Sequence, residues 1–503
     1  MYFDIRQKIK AMDTQDSEIN IFAMTDCHQE ARKLCCLFSG ILKRAPQMGK
    51  NTLICDSGDL FKGIYDRQLC VDSYVKLREA LPLAKIVIAV GNNDFGFSYE
   101  NVEFLQKAAD AYNNANIHLL CANLQDINTG KCPKWVEPYI LLEINQKKVL
   151  VTAFCINQIK LQRYGLKLTD IKQTFSEFSD TVKQIAPDGL IILNHDLLSG
   201  SLRLCQIAEE AGIRIDLLVG GHEHAPLIPL ENKRIYYPRA FSRNMFYFQM
   251  WFENNSTILK LKDTIWCQNE DICDFFVPQV ETYETKSGLN QVVAKSVLDL
   301  PRSYGHPSAL GTFIADLMKS AAKTRMAAIS TGYMTHALRY EKDKILTMYN
   351  LERAFFSDTT FQKVNFSVAE LKSMMNNAVK MRYVNEDSNT YFLQYSQNVK
   401  IVCTCSGDKT CIIKQIYINS EPLLDDIGNP LREDEVISCA LDPYIAAGGN
   451  GFDMLKTLPK ETMMRDNQML KIKDLFVKAI KEAESKYIPG SVYPTFELED
   501  DVS

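Results

Sequence analysis

Five short polar stretches, each set at the end of an apolar run, constrain the fold of this chain more than any other feature. They read TDCH at 25–28, DSGD at 56–59, GNND at 91–94, NHD at 194–196 and GGHEH at 220–224. The runs before them are Ile19-Asn20-Ile21-Phe22-Ala23-Met24, Thr52-Leu53-Ile54-Cys55, Ile86-Val87-Ile88-Ala89-Val90, Leu190-Ile191-Ile192-Leu193 and Leu217-Leu218-Val219. Each is short, continuous and rich in Val, Ile or Leu, the pattern of strands covered on both faces in an α/β fold. In such sheets ligands collect beyond the carboxyl ends of the strands, where all five motifs lie. Asp26 and His28, two residues apart, point the same way if the strand continues through them.

The seven side chains offered there, Asp26, His28, Asp59, Asn92, His195, His222 and His224, mix imidazole, carboxylate and amide oxygen. That mixture suits two borderline divalent ions such as Zn, Mn, Fe or Co rather than Ca or a thiolate-bound metal. Each residue alone has a plainer explanation. A His beside an apolar run is most often a hydrogen-bonded structural residue, and Asp or Asn after a strand is most often a turn former or helix cap. The set is different, because four of the seven histidines in the chain fall within it. Cys27, between two of the donors, is expected on the opposite face, packed rather than redox-active.

In order and spacing the motifs resemble the D-x-H, G-D, G-N-H-E/D, H and G-H-x-H signature of the calcineurin-like metallophosphoesterases, and within them the two-domain 5'-nucleotidases. The resemblance implies that Asp26, His28 and His224 hold one metal, that Asn92, His195 and His222 hold the other, and that Asp59 bridges them. It departs at GNND. In the family the residue after the ligand Asn is a catalytic His oriented by an Asp three residues later, whereas this chain has Asn93 and Gly96. Asn93 donates hydrogen bonds but cannot deliver a proton near neutral pH. A missing general acid typically costs about 10²- to 10⁴-fold in rate. Weak activity rather than none is the expectation, with the smallest deficit on diphosphate bonds, whose leaving group needs little protonation.

The second half resembles the C-terminal, nucleoside-recognising domain of the same enzymes. Residues 308 to 317 match its S-A-L-G-N-x-I-A-D-A helix, 347 to 357 match T-Y-G-D-L-x-x-A-F-P-F loosely, Leu393 to Gln397 match L-Q-x-S-G, and Ala446 to Phe452 match A-x-G-G-D-G-F. The resemblance casts Phe361 and Tyr444 as two aromatic faces sandwiching a base, each stack worth roughly 1 to 3 kcal/mol. Read alone, an aromatic at either position is more often core than clamp. The polar half of recognition is eroded. The family's N-G-G-G-I-R loop is Ser330-Thr331-Gly332-Tyr333-Met334-Thr335 here, with neither Asn nor Arg kept, and the ribose-binding Asp is Asn450. A Thr supplies no charge for phosphate; Arg302 and Arg339 are cations near enough in sequence to substitute. Gly448, Gly449 and Gly451 equally fit a tight turn before Phe452.

At 503 residues the chain exceeds the size at which single cores stop growing. The expected organisation is a metallophosphoesterase domain over 1–272, a two-sheet α/β sandwich flanked by helices. A linker over 273–302 follows, with helical potential from Gly288 to Val297, then an α/β 5'-nucleotidase-like recognition domain over 303–503, opened by a helix that Ser308 caps. In relatives one domain holds substrate and the other the metals, so movement about the linker is implied by the resemblance. A net charge of -5 with dispersed Lys and Arg gives no field for a nucleic-acid polymer or an anionic membrane. The expected partner is a small nucleotide-like molecule.

No run approaches the roughly 18 apolar residues of a membrane span. Residues 1–20 lack the apolar core of a secretory signal, which makes a cytoplasmic location the expectation although many relatives are exported. The 15 cysteines are odd in number, scattered and often inside apolar runs, as at Cys55, Cys155 and Cys439, and read as buried thiols. Cys403, Cys405 and Cys411 fit a hairpin turning at Gly407-Asp408 better than a metal site.

The favoured function is hydrolysis of a phosphate ester or anhydride in a nucleotide-like small molecule. One rival is a nucleotide-binding or regulatory protein that keeps its metals but hardly turns over, favoured by the replacements at 93, 96, 330, 335 and 450. Another is an interaction protein that merely inherits the fold. Intact ligands count against the last, since buried histidines and carboxylates are costly to leave unpaired.

Overall fold

The computed structural model describes residues 18–28, 30–44, 51–61, 67–96, 99–144, 146–157, 161–224, 228–253, 256–294, 298–301, 303, 306–334, 338–340, 345–355, 359–384, 392–405, 411–483 and 496–499. The chain divides into two compact units, Met1–Tyr283 and Glu284–Ser503.

The first unit opens with alternating strands and helices: β1 (Ile19–Met24), α1 (Ala31–Arg44), β2 (Thr52–Asp56), α2 (Arg67–Ala80), β3 (Lys85–Ala89), α3 (Tyr99–Asn114) and β4 (His118–Leu120). A second series follows: β5 (Tyr139–Ile144), β6 (Lys147–Cys155), α4 (Ile171–Ile185), β7 (Gly189–Asp196), α5 (Leu198–Glu210), β8 (Leu217–His222), β9 (Ile228–Leu230) and β10 (Ile235–Tyr237). The long hairpin of β11 (Asn244–Glu253) and β12 (Ser256–Trp266) then returns to the first sheet. Two six-stranded sheets result, in the orders β12-β11-β1-β2-β3-β4 and β9-β10-β8-β7-β6-β5.

Side-chain alternation decides the layering. Ile21, Ala23, Leu53, Cys55, Val87 and Ala89 of the first sheet meet Val151, Ile191, Leu193, Leu217 and Val219 of the second in a core between the sheets. The intervening residues Phe22, Met24, Ile54, Ile86 and Ile88 pack on the first sheet's helices, while Leu150, Ile192 and Leu218 pack against residues of α4 and α5. Both faces of each sheet are therefore buried, as the unbroken apolar runs require. This is the sandwich flanked by helices that the sequence implies. The pairs β1–β2, β2–β3, β6–β7 and β7–β8 are parallel, so the carboxyl ends of each set gather at one edge. There the sheets are tied together by Ser57, whose Oγ donates to the Val219 carbonyl at 2.8 Å.

Between the expected domains the chain is more structured than a linker reading suggests. A helix spans Val277–Ser287 and ends at Gly288, whose φ of 74° suits a glycine that stops a helix. The residues after it, expected to be helical, instead form the strand Val292–Ala294, paired with Leu346–Thr347. Two β-branched neighbours, Val292 and Val293, favour the strand.

In the second unit a five-stranded sheet runs in the order Leu393–Tyr395, Met326–Ser330, Val436–Leu441, Gln362–Ser367 and Lys460–Thr462. The helix Val368–Val384 packs on one face, and the helices Ala309–Ala322 and Ile472–Glu482 pack on the other. Ser308 caps the helix Ala309–Ala322 as expected, accepting from the Gly311 N–H. Strands Val399–Cys405 and Cys411–Ile418 form the expected hairpin, with Cys405 opposite Cys411; the turn lies outside the described residues. Among the described residues no helix is long and apolar enough to cross a membrane.

Candidate metal centre

All seven expected donors converge at the shared edge of the two sheets, in two groups. His28 Nε2 lies 2.8 Å from His224 Nε2 and 3.4 Å from Asp26 Oδ1, and His224 Nε2 lies 3.3 Å from the same Asp26 oxygen. In the second group Asn92 Oδ1 is 3.1 Å from His195 Nε2 and 2.8 Å from His222 Nδ1, and His195 Nε2 is 3.2 Å from Asp59 Oδ2. Asp59 Oδ2 also stands 3.7 Å from His28 Nε2, within reach of both groups. Two donors held about 2.1 Å from one ion in right-angled or tetrahedral geometry sit roughly 3 to 3.5 Å apart. The spacings within the two groups, 2.8 to 3.4 Å, lie close to that requirement.

The route by which Asp26 and His28 come to face the same ion differs from the expected one. β1 ends at Met24, so strand alternation does not carry through them. Instead Asp26 and His28 take left-handed backbone, φ 49° and 46°, and their N–H groups donate to the carbonyls of Gly58 and Asp59, each at 2.9 Å. Asp59 and His222 are left-handed too, at 58° and 72°. Such conformations cost non-glycine residues roughly 1 to 2 kcal/mol each. Four in one ligand set mark a place where geometry is kept at the expense of stability.

The electrostatics say what belongs between these groups. His195 Nδ1 donates to the Ser57 carbonyl at 2.8 Å, which turns Nε2 toward two acceptors, Asn92 Oδ1 and Asp59 Oδ2. Burial opposes charge on His195, yet Asp59, Asp26 and the Ser57 carbonyl together outweigh it and lift the imidazole to about 10. A proton thus sits where acceptors demand a cation. Asp26 tells the same story: burial alone would raise it, but hydrogen bonds from His224 and His28 hold it well below the usual carboxylate range. Its Oδ2 accepts from the Thr25 hydroxyl at 2.8 Å and the His222 N–H at 3.0 Å, while its Oδ1, 3.3 Å from the same N–H, faces the rings of His28 and His224. His222 is depressed by burial and by neighbouring His195. With Asp26, Asp59 and His195 fully buried and His224 39% exposed, the cluster opens to solvent on one side. The donor set fits two divalent ions.

Three residues outside the donor set, Asp94, Phe241 and Gly221, shape the cluster. Asp94 accepts from the N–H groups of Gly91, Asp59 and Phe61 at 2.8, 3.0 and 2.8 Å and so knits the second and third ligand loops together; burial pushes its carboxyl up to about 8. Phe241, at φ 66°, donates its N–H to the Asp26 carbonyl at 2.6 Å and sets its ring 5.3 Å from His28 and 5.2 Å from His224. Gly221 lies under His195, where a Cβ would come 2.6 Å from Nδ1. Asn93, which stands where the family pattern has its catalytic His, is committed to Asp59: its N–H donates to Asp59 Oδ1 at 2.7 Å and its Nδ2 to Asp59 Oδ2 at 2.6 Å. Cys27 packs away from the donors, 3.8 Å from the Cys70 sulfur in the helix-side core.

In the second unit the expected aromatic pair separates. Phe361 is completely buried with Phe355, Phe476 and Ile472; as packed it has no face to offer a base, and the core reading replaces the clamp reading. Its position just before the strand Gln362–Ser367 fits either role, so only burial decides. Tyr444 is half exposed. Gly448 and Gly451, at φ 84° and 76°, make the tight turn before Phe452; the side chain of Asn450 lies outside the described residues, as do Arg302, Thr335 and the side chain of Arg339. Ser330 donates its N–H to Asp442 Oδ2 at 2.9 Å, and burial lifts Asp442 to about 6. The loop is thus built around a buried carboxyl.

A calcineurin-like phosphoesterase family model matches residues 19–226, and a 5'-nucleotidase C-terminal domain model matches residues 285–457. A 5'-nucleotidase-related protein of Glossina morsitans morsitans is 21% identical over 418 residues, covering 74% of this chain and 73% of its own. Among solved structures, a 5'-nucleotidase precursor from Thermus thermophilus superposes with a TM-score of 0.71 at 16% identity, covering 96% of this chain and 99% of that one. The 5'-nucleotidase from Candida albicans gives 0.61 at 12% identity, covering 94% and 99%. At such identities the structural likeness shows the fold. Joined in this order along one chain, the two domain matches make it a member of the two-domain 5'-nucleotidase family, a calcineurin-like phosphoesterase domain followed by a 5'-nucleotidase C-terminal domain.

Proposed function

We propose that this protein is a two-metal phosphohydrolase of nucleotides or nucleotide-like phosphate esters and anhydrides, with turnover reduced by the loss of the His-Asp pair. The observation that carries the reading is Asp59 Oδ2, set 3.2 Å from His195 Nε2 and 3.7 Å from His28 Nε2: one carboxylate oxygen shared by two complete donor groups. When bound, divalent ions supply Lewis acidity toward the phosphoryl group and a nucleophile at neutral pH. The chain's own task is to hold them. Asp26, His28 and His224 form one grip, and Asn92, His195 and His222 the other, with Ser57 fixing the ring of His195.

Asn93 cannot protonate a departing alkoxide, so the handicap depends on the leaving group. A sugar alkoxide suffers most and a phosphate anion least. A nucleotide-like substrate is supported by the family and by Tyr444, whose exposed ring offers one stacking face.

A second reading, a nucleotide-binding regulatory protein, is favoured by the commitment of the Asn93 amide to Asp59 instead of substrate. Phosphate release from protein loaded with Mn, Zn or Co separates the two. The panel sets a nucleoside monophosphate against a nucleoside diphosphate sugar, for wild type and Asn93→His. Hydrolysis with the smaller deficit on the diphosphate is expected; silence from both proteins with tight nucleotide binding would overturn the hydrolase in favour of the regulator.

A further inference from the structure

We propose that Asn93 is a positioning residue for the bridging carboxylate, so that the loop from Gly91 to Gly96 serves metal retention instead of leaving-group protonation. This rests on the two-metal reading above. Asp59 has to present one oxygen to both donor groups, and rotation about its Cβ–Cγ bond would spoil that for both at once. Asn93 blocks the rotation from two sides. Its backbone N–H holds Oδ1 at 2.7 Å, and its side-chain Nδ2 holds Oδ2 at 2.6 Å. Any residue type but proline supplies the first bond, but the second needs a short side chain carrying a donor, which Asn provides. A ligating carboxylate that is itself hydrogen-bonded is the usual way such ligands are oriented.

The surroundings reinforce this assignment. Asn93 sits in the one-turn helix Asn92–Phe95, pinned by Asp94 to the backbone of Gly91, Asp59 and Phe61. Donor and acceptor are therefore carried by two loops locked to each other. Gly91 passes directly beneath the Asp59 carboxylate, where a Cβ would collide with Oδ1, so the close approach is built into the sequence. At the far end of the loop Gly96 has φ 57° and ψ -158°, a conformation open to glycine, and a Cβ there would run into the Asn101 amide. Asn101 is in turn held by Arg67, which donates to its Oδ1 at 3.0 Å. Position 96 has no room for an acid that would orient a general acid at 93. The loop is shaped to hold Asp59.

The test is a titration of the metal-free full chain with Mn²⁺ or Zn²⁺ by calorimetry, with the melting temperature of each metal-free protein measured alongside. Asn93→Leu keeps the volume and removes the donor; Asn93→Ala covers the case in which Leu does not fit. Metal affinity is expected to fall about 10- to 100-fold while the metal-free melting temperature stays at the wild-type value. Unchanged affinity in a folded variant would overturn the proposal, as would a drop in metal-free stability without a change in affinity, which marks a merely structural residue. Wild-type protein that takes up no divalent ion would instead bring down the two-metal reading and this inference with it.

Discussion

Asp59 is fully buried, left-handed at φ 58°, and placed between His28, which follows β1 of the first sheet, and His195, in β7 of the second. Removing its carboxylate as Asp59→Ala takes a ligand from both ions, so the loss in metal affinity and phosphate release is expected to exceed the roughly 100-fold that outer partners cost. Metal content and turnover measured on the same preparation check this; two ions retained would contradict it. Gly96→Asp, which puts an acid where the family pattern given above has one, is expected to destabilise the protein by about 1 to 3 kcal/mol because of its backbone conformation and the Asn101 amide. A denaturant midpoint equal to wild type would show that the loop relaxes freely. The donors themselves are legible in the sequence, because imidazole and carboxylate at strand ends are recognisable by chemistry alone. Their aim is not. Asp26 and His28 converge through left-handed turns and bonds to Gly58 and Asp59, contacts made across the fold that no local period records.

At the scale of elements, β2 carries a titratable group into the interior just ahead of the site. Asp56 is buried, with the Tyr74 hydroxyl donating to Oδ2 at 2.5 Å and the Gly58 N–H to Oδ1 at 2.9 Å, and burial raises it to about 6. Its folded value lies above its unfolded one, so its contribution favours the folded state below pH 4 and is lost as pH rises through 6. The difference amounts to at most about 3 kcal/mol. Asp56→Asn, which keeps the shape and an acceptor for Gly58, is expected to flatten the pH dependence of stability between 4 and 6 and to leave stability at pH 7 equal or higher. Urea unfolding across that range checks it, and an unchanged slope would show that another group is responsible.

The strands of the first unit are readable because continuous apolar runs have one stable home, a sheet buried on both faces. The segment after Ser287 is not. Its composition permits helix or strand, and pairing with Leu346–Thr347, about fifty residues away, decides. Phe361 fails for a related reason, since an aromatic beside a strand looks the same whether it meets a base or the side chains of Phe476 and Ile472.

For the whole molecule, the division into Met1–Tyr283 and Glu284–Ser503 confines the metal ligands to one compact unit. Each ion that binds only the folded form, present at about 1,000 times its dissociation constant, stabilises by roughly 4 kcal/mol, which shifts the melting of a unit the size of Met1–Tyr283 by roughly 7 °C. Calorimetry with and without chelator is therefore expected to move one transition and leave a second in place; a single transition unaffected by chelation would contradict the assignment. The length of the chain foretells more than one such unit.

Anomalous diffraction from crystals grown with Mn²⁺ or Zn²⁺ tests the central claim most directly. Two peaks are predicted, one among Asp26, His28 and His224 and one among Asn92, His195 and His222, with Asp59 touching both. An empty cluster, or a lone ion out of contact with Asp59, would contradict it.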